Sequence, residues 1–411
     1  MRKRLFAGIG VNVLLLGVVS LLADLSSEMM IPILPMYITT LGGSAFVVGL
    51  TGGLGDSISS MLKVFSGYWS DRTGKREPFV VFGYGVSALA KLGLALSTAW
   101  QHILVFRSVE RTGKGLRDAP RDAVIADSTA PEVRGKAFGI HRAMDTTGAI
   151  GGSLSAFLLF WVFGLSYQTI IVVCAIVAFV SLVPFAWMKD VEREPQRRGL
   201  GLSFRALPTE LKYFVFVATV FALGNFTSWF FVLRASEFFG DLVAERAAVA
   251  IAIGLYCLFN VVYAAFSIPV GILSDRVGRG KVLLAGYTLF GITFLGFALL
   301  HSVAAFVTFF ILYGLIYAMV KGAERAFVCD MAPEDTRGTA FGTLHTAIGL
   351  VALPAGMIAG LLWEHIAPWA TFVYGGSLGL IAAALLLLGM RIWPRAGEPA
   401  CSPGEAPSNA E

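Results

Sequence analysis

The sequence carries little charge. Asp, Glu, Lys and Arg make up 14% of its 411 residues and apolar types 56%, whereas soluble domains carry about 25% charged residues. Apolar stretches of about 20 residues recur along the whole length, as membrane-spanning helices require. The short polar–apolar alternation of a membrane β-barrel, about 10 residues per strand, is missing. Four cysteines (Cys174, Cys257, Cys329 and Cys401) show no paired spacing, which argues against disulfides and a thiolate metal site. The five histidines (His102, His141, His301, His345, His365) have no HExxH-like spacing, and no GxSxG occurs, so the common intramembrane hydrolase chemistries find no support. There is no GxxxxGK[ST], so ATP is not the direct energy source. No cofactor, metal or enzymatic activity is expected. A receptor-like sensor is disfavoured by the absence of an attached signalling domain.

What is present is a polytopic helical membrane protein. Twelve spans are predicted, at 8–40, 44–70, 78–99, 102–126, 136–163, 166–188, 212–240, 247–273, 281–300, 302–331, 339–364 and 368–393. The start imitates a signal peptide, but no small-x-small cleavage site follows and the apolar stretch runs on to Tyr37, so it reads as a retained first helix. The tail, 394–411, is rich in Pro, Ala, Gly and Glu and reads as a disordered cytoplasmic segment. Lysines and arginines crowd the loops on one side, from Arg72, Lys75 and Arg76 to Arg276, Arg279 and Lys281, whereas the opposite loops hold only Arg246. The positive-inside rule therefore puts both termini in the cytoplasm, in a plasma (inner) membrane. The net charge of +5 is read as this topology signal and not as affinity for nucleic acid.

The chain repeats itself. GYWSDRTGKR (67–76) matches GILSDRVGRG (271–280), VRGKAFG (133–139) matches TRGTAFG (336–342), and AVIAD (123–127) matches AFVCD (326–330). Three blocks in order, at offsets of 204, 203 and 203 residues, define two homologous six-helix bundles, 1–188 and 212–393, joined by a polar cytoplasmic loop at 189–211. A parallel repeat of this kind places its binding site between the halves, near the membrane midplane.

The first block, Gly67-x-x-x-Asp71-Arg72-x-Gly74-Lys75-Arg76, resembles the loop signature of the major facilitator superfamily, and Gly271-x-x-x-Asp275-Arg276-x-Gly278-Arg279 echoes it. The resemblance implies an all-α fold of two pseudo-symmetric six-helix bundles. It also implies a cytoplasmic gate in which Asp71 sits near a helix N-terminus, Gly67 lets backbones approach, and the basic residues pair with acids such as Asp127. Arg134, in the second repeated block, is placed in the same gate.

The fourth predicted helix carries RSVERTGKGLRDAPRD, 107–122. Projected at about 100° per residue, its eight charges fall within an arc of about 140°. A charge at the bilayer centre costs about 2.5–3.5 kcal/mol on insertion scales, so the stripe must face water or partners. Arg107-x-x-Glu110-x-x-Gly113 resembles the helix-4 motif of drug–proton antiporters, with Glu110 where Gln is usual and Arg111 where Gly is usual. Arg107, Glu110, Arg111 and Lys114 are expected to line a translocation cavity, and Arg121 and Asp122 to lie at its cytoplasmic end. Pairs at helical spacing are available, among them Arg107–Glu110, Glu110–Lys114 and Asp118–Arg121.

Asp24 and Glu28 share one face of the first helix, at a depth comparable to Arg107 and Arg111. Burial favours the neutral carboxyl and a nearby cation the ionised one, the balance that proton coupling needs; a permanent ion pair is the other reading. Arg142 and Asp145 cluster with His141 on the fifth helix, where the antiporter motif is degraded to Thr147-Gly148. Asp56, Lys63 and Lys91 read as candidates for helix–helix contacts. The second half offers Asn225, Trp229, Tyr256 and Asn260 among aromatic residues, so one wall of the cavity reads as charged and the other as apolar. The expected function is a monomeric secondary transporter of a small amphiphile or organic anion, exported at the expense of protons. Import of an organic anion and lipid flipping are the alternatives.

Overall fold

The computed structural model describes residues 10–130, 133–188, 207–333 and 336–393. The tail, 394–411, and residues 189–206 of the central loop lie outside these residues. Every regular element among them is helical. The first half contains α1 (Val11–Met30), α2 (Leu34–Thr40), α3 (Ala45–Thr73), α4 (Glu77–Ala95), α5 (Trp100–Asp127), α6 (Arg134–Phe157) and α7 (Tyr167–Val180). The second contains α8 (Thr209–Gly224), α9 (Trp229–Gly240), α10 (Glu245–Val277), α11 (Arg279–Leu299), α12 (Val303–Met331), α13 (Arg337–His365) and α14 (Pro368–Ile392). A π-helical turn, Leu158–Val162, prolongs α6.

Ten helical spans are long and apolar enough to cross a membrane. The two that fall short on hydropathy are α5 and α6, which carry the charged stripe and the His141 cluster; with them the count reaches the twelve expected. Besides the sixth, whose α7 gives way after Val180 to a 3-10 turn, Val183–Trp187, two of the twelve spans are broken. α1 and α2 form the first, interrupted at Ile31–Ile33, where Pro32 can supply no N–H. α8 and α9 form the seventh, interrupted at 225–228. The sequence reading treated both as continuous. Non-helical backbone survives at membrane depth only where protein or a cavity surrounds it, and both breaks border the site described below.

Each half is a bundle: α1 packs on α6 and α4 on α5 in the first, α11 on α14 and α10 on α12 in the second. The halves meet along α3–α13 and α6–α10. The α3–α13 seam is built on glycine. A Cβ on Gly53 would lie 2.6 Å from the Ala352 carbonyl oxygen, and one on Gly360 2.6 Å from Phe46 Cα; Gly49 and Gly356 face each other backbone to backbone. This seam lies at the end of the molecule opposite the two repeated loops. Glu364 of α13 reinforces it by accepting a 3.3 Å hydrogen bond from the Phe46 amide, at the first turn of α3.

The cores of the halves differ. The second half is filled by a continuous aromatic cluster, with Phe221 stacked on Tyr287 at 4.0 Å and Phe231 on Tyr313 at 4.2 Å. In the first half a small apolar cluster (Val13, Leu16, Val80, Tyr84, Ile125 and neighbours) is separate from the main core. Lys91, Arg107, Glu110 and Arg117, all buried, interrupt the first half between them.

Candidate translocation cavity

A cavity of about 410 Å³ lies between the halves. Of the residues expected to line it, Glu28, Arg107, Arg111, Lys114, Asn225, Trp229, Tyr256 and Asn260 do so. Asp24, Glu110, Arg142 and Asp145 are not among its lining residues, and the reasons are local. Glu110 is fully buried behind Arg107 and Arg111. Asp145 faces His141 at 3.6 Å inside α6. Arg142 donates a 2.7 Å hydrogen bond to the Tyr263 hydroxyl of α10, across the interface of the halves. Asp24 has no hydrogen bond or ion pair within reach among the described residues.

The first-half wall is built by α5. Arg107 Nη1 donates to Glu110 Oε2 at 2.9 Å, one helical turn on, and its guanidinium lies 5.5 Å from the ring centre of Trp229 in the other half. Arg111 stands 3.7 Å from Asp56 and 3.8 Å from Glu110, distances of loose ion pairs. Among the described residues, Lys114 has no carboxylate within 4 Å. The expected pairing of Glu110 with Lys114 does not form, because Glu110 is turned to the two arginines.

Glu28 also departs from expectation. Its partners are not arginines: its Oε2 accepts a 2.8 Å hydrogen bond from the Tyr256 hydroxyl, with the Asn260 amide nitrogen at 3.5 Å. A carboxylate of the first half is thus held by α10 of the second. Asp56, read in the sequence as a helix–helix contact, is the acid that meets Arg111 at the cavity.

The stripe of eight charges is not one surface. Arg117 is buried against α4, donating to Ser87 Oγ at 3.0 Å and lying 4.0 Å from the ring centre of Tyr84. Arg121 pairs with Asp122 at 2.9 Å and donates to Ser20 Oγ at 3.0 Å. Asp118 is not joined to Arg121 by an ion pair. Lys91, fully buried, donates to Ser26 Oγ at 2.7 Å and Ser27 Oγ at 2.9 Å.

The other wall contains residues that sequence reasoning missed. The break between α8 and α9 brings Phe226, Thr227 and Ser228 to the cavity, and Asn225 Oδ1 is buried there without a hydrogen-bond partner among the described residues. The available signal was Gly224-Asn225, a pair suited to a helix C-terminus. Lys321 and Glu324 of α12 also line the cavity, with the Lys321 ammonium 5.6 Å from the ring centre of Tyr317. Together these positions make one wall rich in cations and hydroxyls and another rich in rings.

The loop residues form matching constellations. In the first half Arg76 binds Asp71 at 2.8 Å and also Asp127. In the second, Arg279 binds Asp275 at 3.3 Å and also Asp330. Arg279 corresponds in the repeat to Lys75, not Arg76, so a neighbouring position does the same work. Gly74 and Gly278 take φ of 68° and 105°, which side chains disfavour. Gly67 packs a hypothetical Cβ at 3.3 Å from Ala119, whereas Gly271 meets nothing within 4 Å. Arg72 donates to the Tyr68 hydroxyl at 3.3 Å and Arg134 to the Ala126 carbonyl at 3.2 Å. Lys75 touches Thr73 through its backbone, and Arg276 is exposed. All these contacts lie within one half.

Comparison with known proteins places this architecture. The model of the Major Facilitator Superfamily matches residues 16–255 and 214–408. An uncharacterised transporter of this type from Methanocaldococcus jannaschii is 47% identical over 380 residues, covering 92% of this chain and 94% of its own. The multidrug resistance protein MdtH of Aeromonas hydrophila is 25% identical over 383 residues, covering 90% and 92%. Among solved structures, the nucleoside transporter NupG superposes with a TM-score of 0.76 at 13% identity, covering 93% of this chain and 99% of its own. A bacterial homologue of the human lysosomal transporter Spinster, in an inward-facing and unoccupied conformation, superposes with a TM-score of 0.73 at 16% identity, covering 95% and 98%. This chain is a multi-pass membrane protein and belongs to the major facilitator superfamily of small-molecule transporters.

Proposed function

We propose that this transporter moves a small amphiphile or organic anion by alternating access, with protons as the driving ion and export as the direction. The observation that carries the proposal is the two-sided cavity. Arg111 and Lys114 present positive charge that is loosely paired or unpaired, and Phe226, Trp229, Tyr256 and Phe259 present apolar surface. A ligand with an anionic head and an aromatic or aliphatic body satisfies both, and about 410 Å³ is in the range of drug-sized sites. Export is supported by the MdtH relatives, whose name describes drug resistance.

Glu28 is the proposed proton carrier. It faces the cavity, and its hydrogen bond to Tyr256 crosses the interface, so its protonation state bears on how the halves are held. With both termini cytoplasmic, the glycine seam seals the outer side and the loop motifs flank the open inner side. The gate role of Asp71, Arg76 and Asp127 is then to fix the loop within the first half in this state.

Cation excess favours a second reading. An anion and a proton bound in one cavity attract each other, so their binding is cooperative and they travel together, as in an organic-anion importer. Flux into and out of proteoliposomes under an imposed pH gradient tests both. Uptake of labelled aryl carboxylates driven by an inside-acid gradient supports antiport, and uptake driven by an inward proton gradient supports symport. Absence of gradient-driven flux across a panel of anionic and neutral amphiphiles would sink the proton-coupled reading.

A further inference from the structure

One buried cation of the first half has no counter-ion. Lys91 of α4 is 1% exposed, and among the described residues it forms no ion pair with a carboxylate. Glu110, on the neighbouring α5, is held by Arg107 and Arg111 instead. Lys91 gives its hydrogen bonds to two hydroxyls of α1, Ser26 Oγ at 2.7 Å and Ser27 Oγ at 2.9 Å. A buried ammonium is costly unless it is hydrogen-bonded and paired. Two hydroxyl oxygens provide the bonds but no negative charge.

The two hydroxyls differ in what they have left to give. Each accepts from Lys91, so each must donate its own proton elsewhere. Ser26 is fully buried and donates to the Cys174 carbonyl oxygen of α7 at 2.6 Å. Ser27 donates to nothing among the described residues. Even a bond back to the preceding helical turn, which Ser108 makes to the Leu104 carbonyl at 2.8 Å and Thr112 to the Ser108 carbonyl at 3.0 Å, is not formed. Ser27 also lines the cavity, in the same wall as Glu28, Arg107 and Arg111. Its lone pair is taken by the ammonium behind it, and its O–H is free for a group in front of it. Hydrogen bonds in a chain polarise one another, so a hydroxyl that accepts from an ammonium is a stronger donor. A bond from such a donor to an anion is about twice as strong as one to a neutral acceptor.

We propose that Ser27 and Lys91 form an anion subsite in the α1 wall of the cavity. Ser27 Oγ–H donates to the anionic head of the substrate. Lys91 is the positioning residue: it fixes the direction of the hydroxyl and provides positive charge from behind it, and the bound anion is the counter-ion it lacks. A carboxylate has two acceptor oxygens, one for Ser27 and one for the cations of α5, so the head is shared between two helices. The subsite rests on the anionic-substrate reading.

The test is calorimetric titration of the full chain in lipid nanodiscs with a panel of aryl carboxylates and their primary amides. Ser27→Ala is expected to weaken carboxylate binding about tenfold, the low end of the range for a hydrogen bond to a charged group, and amide binding by less than about threefold. Ser27→Thr keeps the hydroxyl and is expected to stay within about threefold of the parent for both classes. Lys91→Met is expected to weaken carboxylate binding about as much as Ser27→Ala, and to add less than about twofold on top of it, because it acts through that hydroxyl. Arg111→Gln, which acts on its own, is expected to lower carboxylate affinity further in the Ser27→Ala background. A carboxylate-to-amide preference that Ser27→Ala leaves unchanged while Arg111→Gln lowers it overturns the subsite and leaves the anionic reading standing. Losses in Ser27→Thr equal to those in Ser27→Ala, or a Lys91→Met loss that adds in full to that of Ser27→Ala, do the same. Should Lys91→Met fail to fold, the comparison of Ser27→Ala with Ser27→Thr decides alone. A parent with no preference for carboxylates over amides across the panel overturns the anionic reading, and the subsite with it.

Discussion

Gly360→Ala is the sharpest test of how the far end is sealed. The added methyl would lie 2.6 Å from Phe46 Cα, 2.7 Å from the Ala45 carbonyl oxygen and 3.1 Å from the Phe46 amide nitrogen. All three are backbone atoms at the start of α3, so no side chain can turn away. Ordinary contact begins near 3.4 Å, so α3 and α13 must separate by about 0.8 Å at this level, lengthening the Glu364–Phe46 bond as well. Overpacking of this kind costs about 1–3 kcal/mol. A transporter with a second arrangement need not bear that cost in the folded state as a whole. It can abandon the far-end-closed form, whose population should fall about 5- to 150-fold relative to the open form. Spin labels at Gln101→Cys, in the first turn of α5, and Leu300→Cys, just after α11, exposed positions at the far end of opposite halves, would report this as growth of a longer distance. Gly271→Ala is the control, since its methyl meets nothing within 4 Å. An unchanged distance distribution for Gly360→Ala, with unfolding like that of the control, would refute the claim that backbone contact of the two helices seals this end.

Three further outcomes are expected. Glu110→Gln removes the carboxylate that neutralises the fully buried Arg107 and should lower stability by about 3–5 kcal/mol; an unfolding temperature unchanged in detergent would contradict the buried ion pair. Glu28→Gln keeps the size of the side chain and an acceptor for Tyr256 but cannot exchange a proton. It should abolish accumulation driven by a pH gradient while sparing substrate counterflow, and persistence of gradient-driven accumulation would assign the proton elsewhere. Arg111→Gln and Lys114→Gln should each weaken binding of aryl carboxylates about tenfold or more, the range of a charged hydrogen bond, with little effect on neutral analogues. Equal losses for both ligand classes in a thermal-shift titration would show that the charges shape the cavity and do not read the ligand.

The sequence was a good guide to architecture and a partial one to the site. Apolar runs, the repeat and the loop motif define the spans and their order because each is a property of a stretch read along itself. The helical projection likewise grouped the eight charges of α5 on one side. It could not say what that side meets. An arc of about 140° is wide enough to touch a cavity, a neighbouring helix and the loop-motif end, and α5 does all three: Arg111 and Lys114 face the cavity, Arg117 is sheathed by Tyr84 and Ser87, and Arg121 holds Asp122 and Ser20. The same limit explains Glu28 and Asp56. Depth along a helix made an arginine the natural partner of Glu28, but the lateral position of α10 gives it Tyr256 and Asn260 instead, and α3 delivers Asp56 to Arg111. The break at 225–228 escaped because flanking apolar residues mask it.

The asymmetry of the halves bears on how a ligand could act. The second half is continuous aromatic core, whereas the first is divided by buried charge. Buried charges contribute little net stability even when paired, so their persistence here is better explained by what they contact. Two of those contacts reach across the cavity itself: Glu28 to Tyr256 and Arg107 to Trp229. They hold the halves together with the same groups that a ligand must approach. Under the proposed reading, an anion drawn to Arg111 or Arg107 would compete with Asp56 and Glu110 inside the first half, and an aromatic body seated on Trp229 would compete with the Arg107 guanidinium across the cavity. By displacing the Arg107–Trp229 contact, such a ligand would change a contact between the halves directly, without a relay through the helices, which is the differential affinity a ligand needs in order to shift a conformational equilibrium.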